Sequence, residues 1–222
     1  MLANTALKGA NLADVKLDEV DLSAADLTGA SVRSPDSLPP DIKAVLTSHF
    51  EWIRSDGRRG SRAKLVKADL SYINLTGADL SGADLHDSNL TGANLSKTSF
   101  VMSDLSGVNL SGADLSSAKL DGINLAKADL SGAKAVEVQL GPVDIKDASG
   151  KPTGRRWPTN LAGAKLAGAD LTSANLQYAN LGHADLSGAN MTRADLTKAN
   201  LTEARMDGAV LDGASFDRVG AD

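Results

Sequence analysis

The sequence of 222 residues contains no cysteine, only 3% aromatic residues and no long apolar run. Without cysteine, the chain has no disulfide, no thiolate nucleophile and no sulfur ligand for a metal. No stretch approaches the roughly 18 apolar residues of a membrane-spanning helix, and no basic segment followed by an apolar run opens the chain. We therefore expect a soluble, cytoplasmic protein with no membrane partner.

Residue patterns typical of catalysis are also missing. His49, His86 and His183 are the three histidines; none has a neighbour at metal-ligand spacing, and we expect all three at the surface. Glycines recur at regular intervals rather than in a phosphate-binding loop that opens a helix. Serines and threonines recur in the same way, so none stands out as an activated nucleophile. The sequence predicts a protein that is not an enzyme and that holds no cofactor and no metal.

What the sequence does contain is a five-residue repeat. From Leu65 to Ile145 nearly every fifth residue is large and apolar, and a small or β-branched residue stands two positions before it, as in Ala-Asp-Leu-Ser-Gly at 78–82. On a helix, five residues would advance the face by about 140° and spread the leucines around the cylinder. On a straight strand, an odd spacing would alternate them between faces. A corner in every repeat brings all the leucines inward.

The turn residues agree with a corner in each repeat. Glycine recurs two positions after the leucine, as at Gly82, where a type II turn requires positive φ. Elsewhere this position is occupied by other residues, such as Lys67, Asp87, Lys97 and Ser117, and we expect a different turn type at those corners.

Tandem Ala-(Asp/Asn)-Leu-Ser-Gly units of this kind resemble the pentapeptide repeat family. The resemblance implies an all-β solenoid, a right-handed quadrilateral β-helix with four pentapeptides per coil. Adjacent coils should stack about 4.8 Å apart, so that residues twenty positions apart lie above one another. This register predicts amide ladders that join Asn74 with Asn94 and Asn89 with Asn109. It also predicts an acidic column, interrupted by Asn124, that consists of Asp84, Asp104 and Asp144.

Two interruptions divide this single β-helix domain. The predicted segments are N-terminal coils at 1–33, a helical insertion at 34–64, central coils at 65–145, a projecting basic loop at 146–158 and C-terminal coils at 159–222. In the first interruption, apolar residues at helical spacing predict an amphipathic helix at about 41–55 with Asp41 as its N-cap. Its apolar side, with Phe50, Trp52 and Ile53, either packs on the coils or offers a groove to a partner.

The last coil has an open edge in this interpretation. Six residues follow Phe216, too few for a capping helix, and members of the family often dimerise through their C-terminal coils. An end-to-end homodimer would cover the unpaired edge. We therefore predict a dimer interface at Met206, Leu211 and Phe216.

Charge is divided between the repeats and the interruptions. The repeat segments have a net charge of −10 and the two interruptions have +5, which gives −5 for the chain. Acidic repeats either keep the flat faces soluble or imitate the charge of a nucleic-acid duplex. Both interpretations stay open at this point.

The resemblance leads to two functional hypotheses. Quinolone-resistance and toxin-immunity members of the family are dimeric acidic rods that bind DNA gyrase or topoisomerase IV, and in some of them a projecting loop matters for protection. On this hypothesis the partner is a protein rather than nucleic acid. The loop contacts are Arg155, Arg156 and Trp157, since Arg and Trp are enriched in binding hot spots, and the acidic column is a second contact. The alternative is a general interaction scaffold with the helix and the loop as docking elements.

Overall fold

The computed structural model describes residues 10, 12 and 33–217, so the predicted coils at 1–33 lie outside the described residues except at positions 10, 12 and 33. Its regular elements are a 3-10 helix at Pro35–Ser37, helix α1 at Pro40–Arg54, strand β1 at Val143–Lys146 and strand β2 at Pro152–Trp157. Within this described part, no helix has the length and apolar character needed to cross a membrane. The remaining residues form stacked coils, and we call the coils at 64–140 and 159–216 the rod.

Four parallel ladders run along the rod, one on each side. Each ladder joins residues twenty positions apart through single bridges, as between Asn74 and Asn94 or between Asn89 and Asn109, and thirty-six positions apart across the second interruption. The backbone at each bridge is satisfied by a neighbouring coil: the N–H of Asp104 donates to the carbonyl of Ala83, and the carbonyl of Asp104 accepts from the N–H of Leu85, both in the preceding coil. The predicted period of twenty residues per coil is confirmed. The right-handed sense of the coil stays a prediction.

The inward residues form one continuous core along the rod. Leu80, Leu85 and Phe100 are fully buried, so an aromatic ring fits at a leucine position without interrupting the ladder. Polar residues at the small inward positions have their hydroxyl groups satisfied. The hydroxyls of Thr98 and Ser103 each donate to a carbonyl of the preceding coil at 2.9 Å. Such bonds offset the desolvation cost of a buried hydroxyl.

Corners without glycine keep the same backbone conformation as corners with it. The φ angles of Lys67, Asp87, Lys97 and Ser117 lie between 56° and 60°, close to those of the corner glycines. The prediction of another turn type at these positions was wrong. The ladder hydrogen bonds above and below each corner fix the path of the chain, so a non-glycine residue is held in the left-handed region in spite of its steric cost.

Helix α1 lies within one residue of the predicted span at each end. Its N-cap is Pro39 rather than Asp41. Asp41 lies in the first turn, where its negative charge interacts favourably with the helix dipole. Proline at the first helical position has φ set for a helix and needs no N–H partner, which explains the shift. The predicted apolar side is only half-buried, and the deepest anchors are Leu46 and His49. The helix therefore packs on the rod.

His49 is fully buried, so its predicted place at the surface was wrong. Its Nδ1 accepts a hydrogen bond from the N–H of Ala63 at 3.0 Å, and its ring stacks on Trp52 with 5.7 Å between centroids. An accepting Nδ1 requires the neutral ring with its proton on Nε2. Burial lowers the pKa of His49, and nearby Asp79 opposes that shift in part. The imidazole thus fixes the chain after α1 to the helix.

We expect acidification to weaken this attachment. Above the ordinary pKa of 6.5 His49 is neutral in both states, and its stabilising contribution is complete. Below that value the unfolded chain takes up a proton that the folded chain resists, so stability falls by up to about 1.4 kcal/mol per pH unit until the lowered folded pKa is reached. Urea unfolding between pH 7.5 and 5.5 measures this loss.

The matched variant for this measurement is His49→Asn. Its amide oxygen can accept from Ala63 as Nδ1 does, but the side chain does not titrate. Other titrating groups, including His86, are present in both proteins and cancel in the comparison. The same pH dependence in the wild type and in His49→Asn would contradict the assignment.

The second interruption begins earlier than predicted. The last inward residue of the central coils is Leu140, and β1 and β2 then form an antiparallel hairpin before the ladder resumes at Asn160, directly above Asn124. Ile145, predicted as an inward residue of the coil, lies in β1. Pro142 occupies the next corner position, where its fixed negative φ and missing N–H do not fit. The hairpin therefore leaves the rod there and returns without shifting the ladder.

Candidate functional site

Both interruptions border the same corner of the rod. We call this column of corner residues the hairpin corner; in chain order it consists of Gly82, Met102, Gly122, Tyr178 and Lys198. At one end, Arg62 covers Gly82 and its guanidinium lies 5.9 Å from the ring centroid of Trp52. Between Gly122 and Tyr178 the hairpin projects. The corner is thus the line along which the inserted segments meet the repeats.

Gly122 is the point on which the hairpin packs. A Cβ added there would lie 2.8 Å from Sδ of Met102, 2.9 Å from Cγ2 of Val143 and 3.3 Å from Cδ1 of Trp157. Three apolar side chains therefore converge where only glycine leaves room. Two of them also face solvent, since Met102 is 47% exposed and Trp157 is 53% exposed. The result is an exposed apolar surface that packs on Gly122 of the rod.

The base of the hairpin is fixed by buried polar groups. The hydroxyl of Thr159, which is fully buried, accepts from the N–H of Gly122 at 3.0 Å and lies 3.0 Å from the carbonyl of Gly141, to which it can donate. The carboxylate of Asp121 accepts from the N–H of Gly141 at 3.1 Å. Burial raises the pKa of Asp121. These bonds hold both ends of the insertion against the coil below.

Arg156 holds the second strand against the rod. Its Nε donates to Oδ1 of Asp144 across the hairpin at 3.1 Å, and its guanidinium lies 4.7 Å from the ring centroid of Tyr178. Lys198 approaches the same ring from the next coil at 5.1 Å. The two cations, Lys198 foremost, lower the pKa of Tyr178. Arg156 is thus engaged within the chain, whereas Arg155 and Trp157 are exposed.

The predicted acidic column is shorter than expected. Asp84 and Asp104 are adjacent in one ladder, and Asn124 follows them as predicted. Asp144 does not belong to the column, because the chain has already left the coil at Pro142 and places this residue in β1, opposite Arg156. The column therefore contains two carboxylates rather than three.

Above the two carboxylates, the same column continues as an amide ladder. Each side-chain amide donates to the oxygen one coil below, at distances from 2.9 to 3.3 Å. The donors in order are Asn124, Asn160, Asn180 and Asn200. The ladder ends on Asp104, so the amides satisfy one carboxylate oxygen there.

Carboxylates on two other sides of the rod are paired across coils with cations. Lys134 lies 3.3 Å from Asp114, and Lys165 lies 3.4 Å from Asp129. A third pair of this kind joins Arg205 and Asp185. Exposed pairs contribute little stability, but they interrupt the negative surface. This pattern favours the interpretation of the acidic residues as solubilising over a continuous imitation of nucleic acid.

His86 has neighbours that the spacing argument missed. Its Nδ1 lies 2.6 Å from Oδ1 of Asp84, and ligand atoms of His86, Asp84 and Asp104 all lie within 4.8 Å of one another. The prediction that no histidine has partners at metal-ligand spacing was therefore wrong. The hydrogen bond to Asp84 raises the pKa of His86. The group becomes visible in the sequence when residues one coil apart, twenty positions away, are considered together with residues at the usual short ligand spacings.

The core opens at the C-terminal end of the described rod. Leu196 is buried, Met206 is half-buried, and Leu211 and Phe216 are 37% and 41% exposed although they occupy inward positions. The equivalent residues of the inner coils are covered by the next coil. The predicted dimer interface is thus an exposed apolar surface in the described residues, and the dimer itself stays a prediction.

Comparisons with known proteins agree with the coil pattern. The family model described as pentapeptide repeats matches residues 2–33, overlapping stretches from 61 to 141, and overlapping stretches from 159 to 219. The gaps between these matches coincide with the helical insertion and the hairpin. No curated protein matches the sequence.

Solved structures of similar proteins cover most of the chain. HetL from the cyanobacterium Nostoc sp. strain PCC 7120, a pentapeptide repeat protein involved in regulation of heterocyst differentiation, is 30% identical over 75% of this chain and 92% of its own, with a TM-score of 0.36. QnrB1, a plasmid-mediated fluoroquinolone resistance protein, is 24% identical over 74% of this chain and 68% of its own, with a TM-score of 0.45. A thylakoid lumen protein of Arabidopsis thaliana is 27% identical over 51% of this chain and 68% of its own, with a TM-score of 0.32.

Proposed function

Since the chain belongs to the pentapeptide repeat family, we propose that it is a non-enzymatic protein-binding rod and that its partner is a type II topoisomerase, either DNA gyrase or topoisomerase IV. The observation that carries the binding role is the hairpin, which presents Trp157 and Arg155 to solvent from a fixed base. The family resemblance supplies the identity of the partner. The rod contributes a rigid support of defined length.

The exposed pair suits a protein interface. Trp157 remains 53% exposed although its edge packs over Gly122, and tryptophan and arginine are enriched among residues that dominate binding energy. The neighbouring Arg156 is already fixed by Asp144 and Tyr178. The hairpin therefore needs little ordering when it binds, which reduces the entropic cost of association.

Acidic residues have a smaller part in this proposal than the hairpin has. Asp84 and Asp104 are the two column residues that remain stacked, and we assign them a secondary contact with basic groups of the partner. Asp144 supports Arg156 instead. Direct binding of nucleic acid is not part of the proposal.

A second copy of the chain is the proposed cover for the open C-terminal end. Leu211 and Phe216 expose apolar area where the inner coils bury it, and an isologous contact would remove that area from water on both copies. The dimer would carry two hairpins related by a two-fold axis. The variants that test it are described in the Discussion.

The alternative function is a scaffold for a different protein. Pairing of carboxylates with cations across coils favours it, because the rod sides then lack the continuous negative surface expected of a nucleic-acid mimic. The hairpin corner would serve equally as its docking edge. The two functions differ in partner and not in the surface used.

The experiment is a supercoiling assay with purified gyrase, titrated with the full chain in the presence and absence of a fluoroquinolone. We expect either inhibition of supercoiling or rescue from the drug. Arg155→Ala should weaken the effect by about tenfold or more, as for a hot-spot residue. The matched control Arg193→Ala removes an exposed arginine from another corner and should change nothing.

The outcomes separate the two functions. No effect of the chain in either arm would reject DNA gyrase as the partner, and no effect in a decatenation assay with topoisomerase IV as well would leave the scaffold. Equal losses for Arg155→Ala and Arg193→Ala would indicate a general effect of charge and would contradict the hairpin as the contact.

A further inference from the structure

Asp84 and Asp104 form a like-charge step in the rod. Among the bridges of residues 33–217, theirs is the only one that places two carboxylates directly above one another. Elsewhere each ladder aspartate is bridged to residues of other types, such as asparagine, serine or lysine. Directly opposed like charges destabilise paired strands. A cation bound at this step would relieve the repulsion.

Basic side chains nearby do not supply it. Lys64 precedes Asp84 in the same ladder, and Arg62 borders the same hollow of about 290 Å³, but neither forms an ion pair with the two carboxylates. The carboxylates of Asp114, Asp129 and Asp185, by contrast, each have a lysine or arginine from the next coil. The group that does approach the like-charge step is an imidazole.

His86 completes a set of three ligands. It lies two residues after Asp84 on the same coil, so its ring stands beside both carboxylates, with ligand atoms of all three within 4.8 Å. The side chains of His86 and Asp84 are 38% and 36% exposed. Water can therefore reach the group and fill further coordination positions.

We propose that Asp84, His86 and Asp104 form a binding site for a divalent transition-metal ion such as Zn²⁺. One imidazole nitrogen and two carboxylate oxygens are ligands that Zn²⁺ accepts, and an imidazole suits Zn²⁺, Ni²⁺ and Cu²⁺ better than Mg²⁺ or Ca²⁺. The ion would lie between two adjacent coils and cancel the like-charge step. Zinc binding requires no contact with another protein, so it can be tested without the topoisomerase, but a bound ion would neutralise the secondary acidic contact assigned above to Asp84 and Asp104.

The test is calorimetric titration of the full chain with ZnCl₂, after removal of any affinity tag, with MgCl₂ as the comparison ion. We expect one zinc site per chain, a rise in the unfolding temperature on addition of zinc, and no effect of magnesium. His86→Ala and Asp104→Asn should each weaken zinc binding more than about tenfold, because even the loss of an outer-shell partner of a metal has an effect of that size.

Two controls keep a structural effect apart from a loss of ligands. Asp104→Asn retains an oxygen that can accept from Asn124 and removes the like-charge step, so its metal-free unfolding temperature should equal or exceed that of the wild type. His183→Ala removes a histidine beside one carboxylate, Glu203, at 3.0 Å, and should leave zinc binding unchanged.

The proposal is overturned by any of three results. These are no zinc binding to the wild type, unchanged affinity in both His86→Ala and Asp104→Asn, or loss of the site in His183→Ala. Because the zinc titration and the supercoiling assay measure different events, failure of one leaves the other unaffected.

Discussion

Replacing Gly122 with alanine is expected to reduce the free energy of unfolding by about 2–5 kcal/mol, whereas Gly132→Ala should cost only about 1–2 kcal/mol. Both glycines lie at corners, with φ of 65° and 63°. An alanine at either corner therefore carries the same backbone cost. At Gly122 the new methyl group would also meet Met102 and Val143 within 3 Å, while at Gly132 it would meet nothing within 4 Å.

The difference between the two variants measures the packing of the hairpin. Urea unfolding gives the two free energies, and Trp157 fluorescence in a Trp52→Phe background reports whether the hairpin has moved. We expect a shift toward the emission of solvent-exposed tryptophan in Gly122→Ala alone. Equal losses of stability, with unchanged emission in both, would show that the hairpin does not rest on Gly122.

We expect the wild type to dimerise as proposed and the double variant Leu211→Asp/Phe216→Asp to remain monomeric at the same concentrations. A two-fold contact would bring four new carboxylates together and remove the apolar area that holds the copies. Analytical ultracentrifugation over a range of concentrations measures the change. Because single interface residues can carry more than about 2 kcal/mol, we expect the dimer to weaken by at least about a hundredfold.

The matched control for the dimer is Val210→Asp. Val210 is 43% exposed, close to the exposure of Leu211 and Phe216, but it occupies an outward ladder position. It should leave the dimer intact. A wild type that sediments as a monomer at all concentrations would reject the proposed interface, and circular dichroism of the double variant would show whether its rod is still folded.

The repeat made the coils predictable because the signal is redundant. Each inward leucine independently indicates the five-residue period and the corner, so a single exception such as Phe100 does not obscure the pattern. The twenty-residue stacking, and with it the pairing of Asp84 with Asp104, was implied by the resemblance to the pentapeptide repeat family, which has four repeats per coil. The helix at Pro40–Arg54 was also evident from apolar residues at helical spacing.

The interruptions were harder to predict because their contacts are particular to them. Ile145 stands five residues after Leu140 by coincidence, and the period alone could not show that Pro142 prevents the corner. Placement of Asp144 failed for the same reason. Burial of His49 depends on the direction in which α1 returns to the rod, and no repeated signal specifies that direction.

Non-glycine corners show a different limit. Turn propensity suggested another conformation for Lys97, but the hydrogen bonds of the neighbouring coils impose positive φ on it. Local preference was overruled by tertiary structure. The same register that overrules it places His86 beside Asp104, eighteen residues away.

After the hairpin the chain rejoins the ladders in the same register. The number of repeats between α1 and the hairpin can therefore change two things: the distance between these insertions and the direction in which the hairpin projects. Three coil steps separate Lys64, where the chain resumes after α1, from Asn124 below the hairpin, a distance of roughly 14 Å at about 4.8 Å per step. Adding twenty residues between Lys64 and Asn124 would lengthen this distance by one coil step and keep the direction in which the hairpin projects. Adding five would turn the hairpin to the next corner and leave the length almost unchanged. Reach and direction are therefore set by the number of repeats alone.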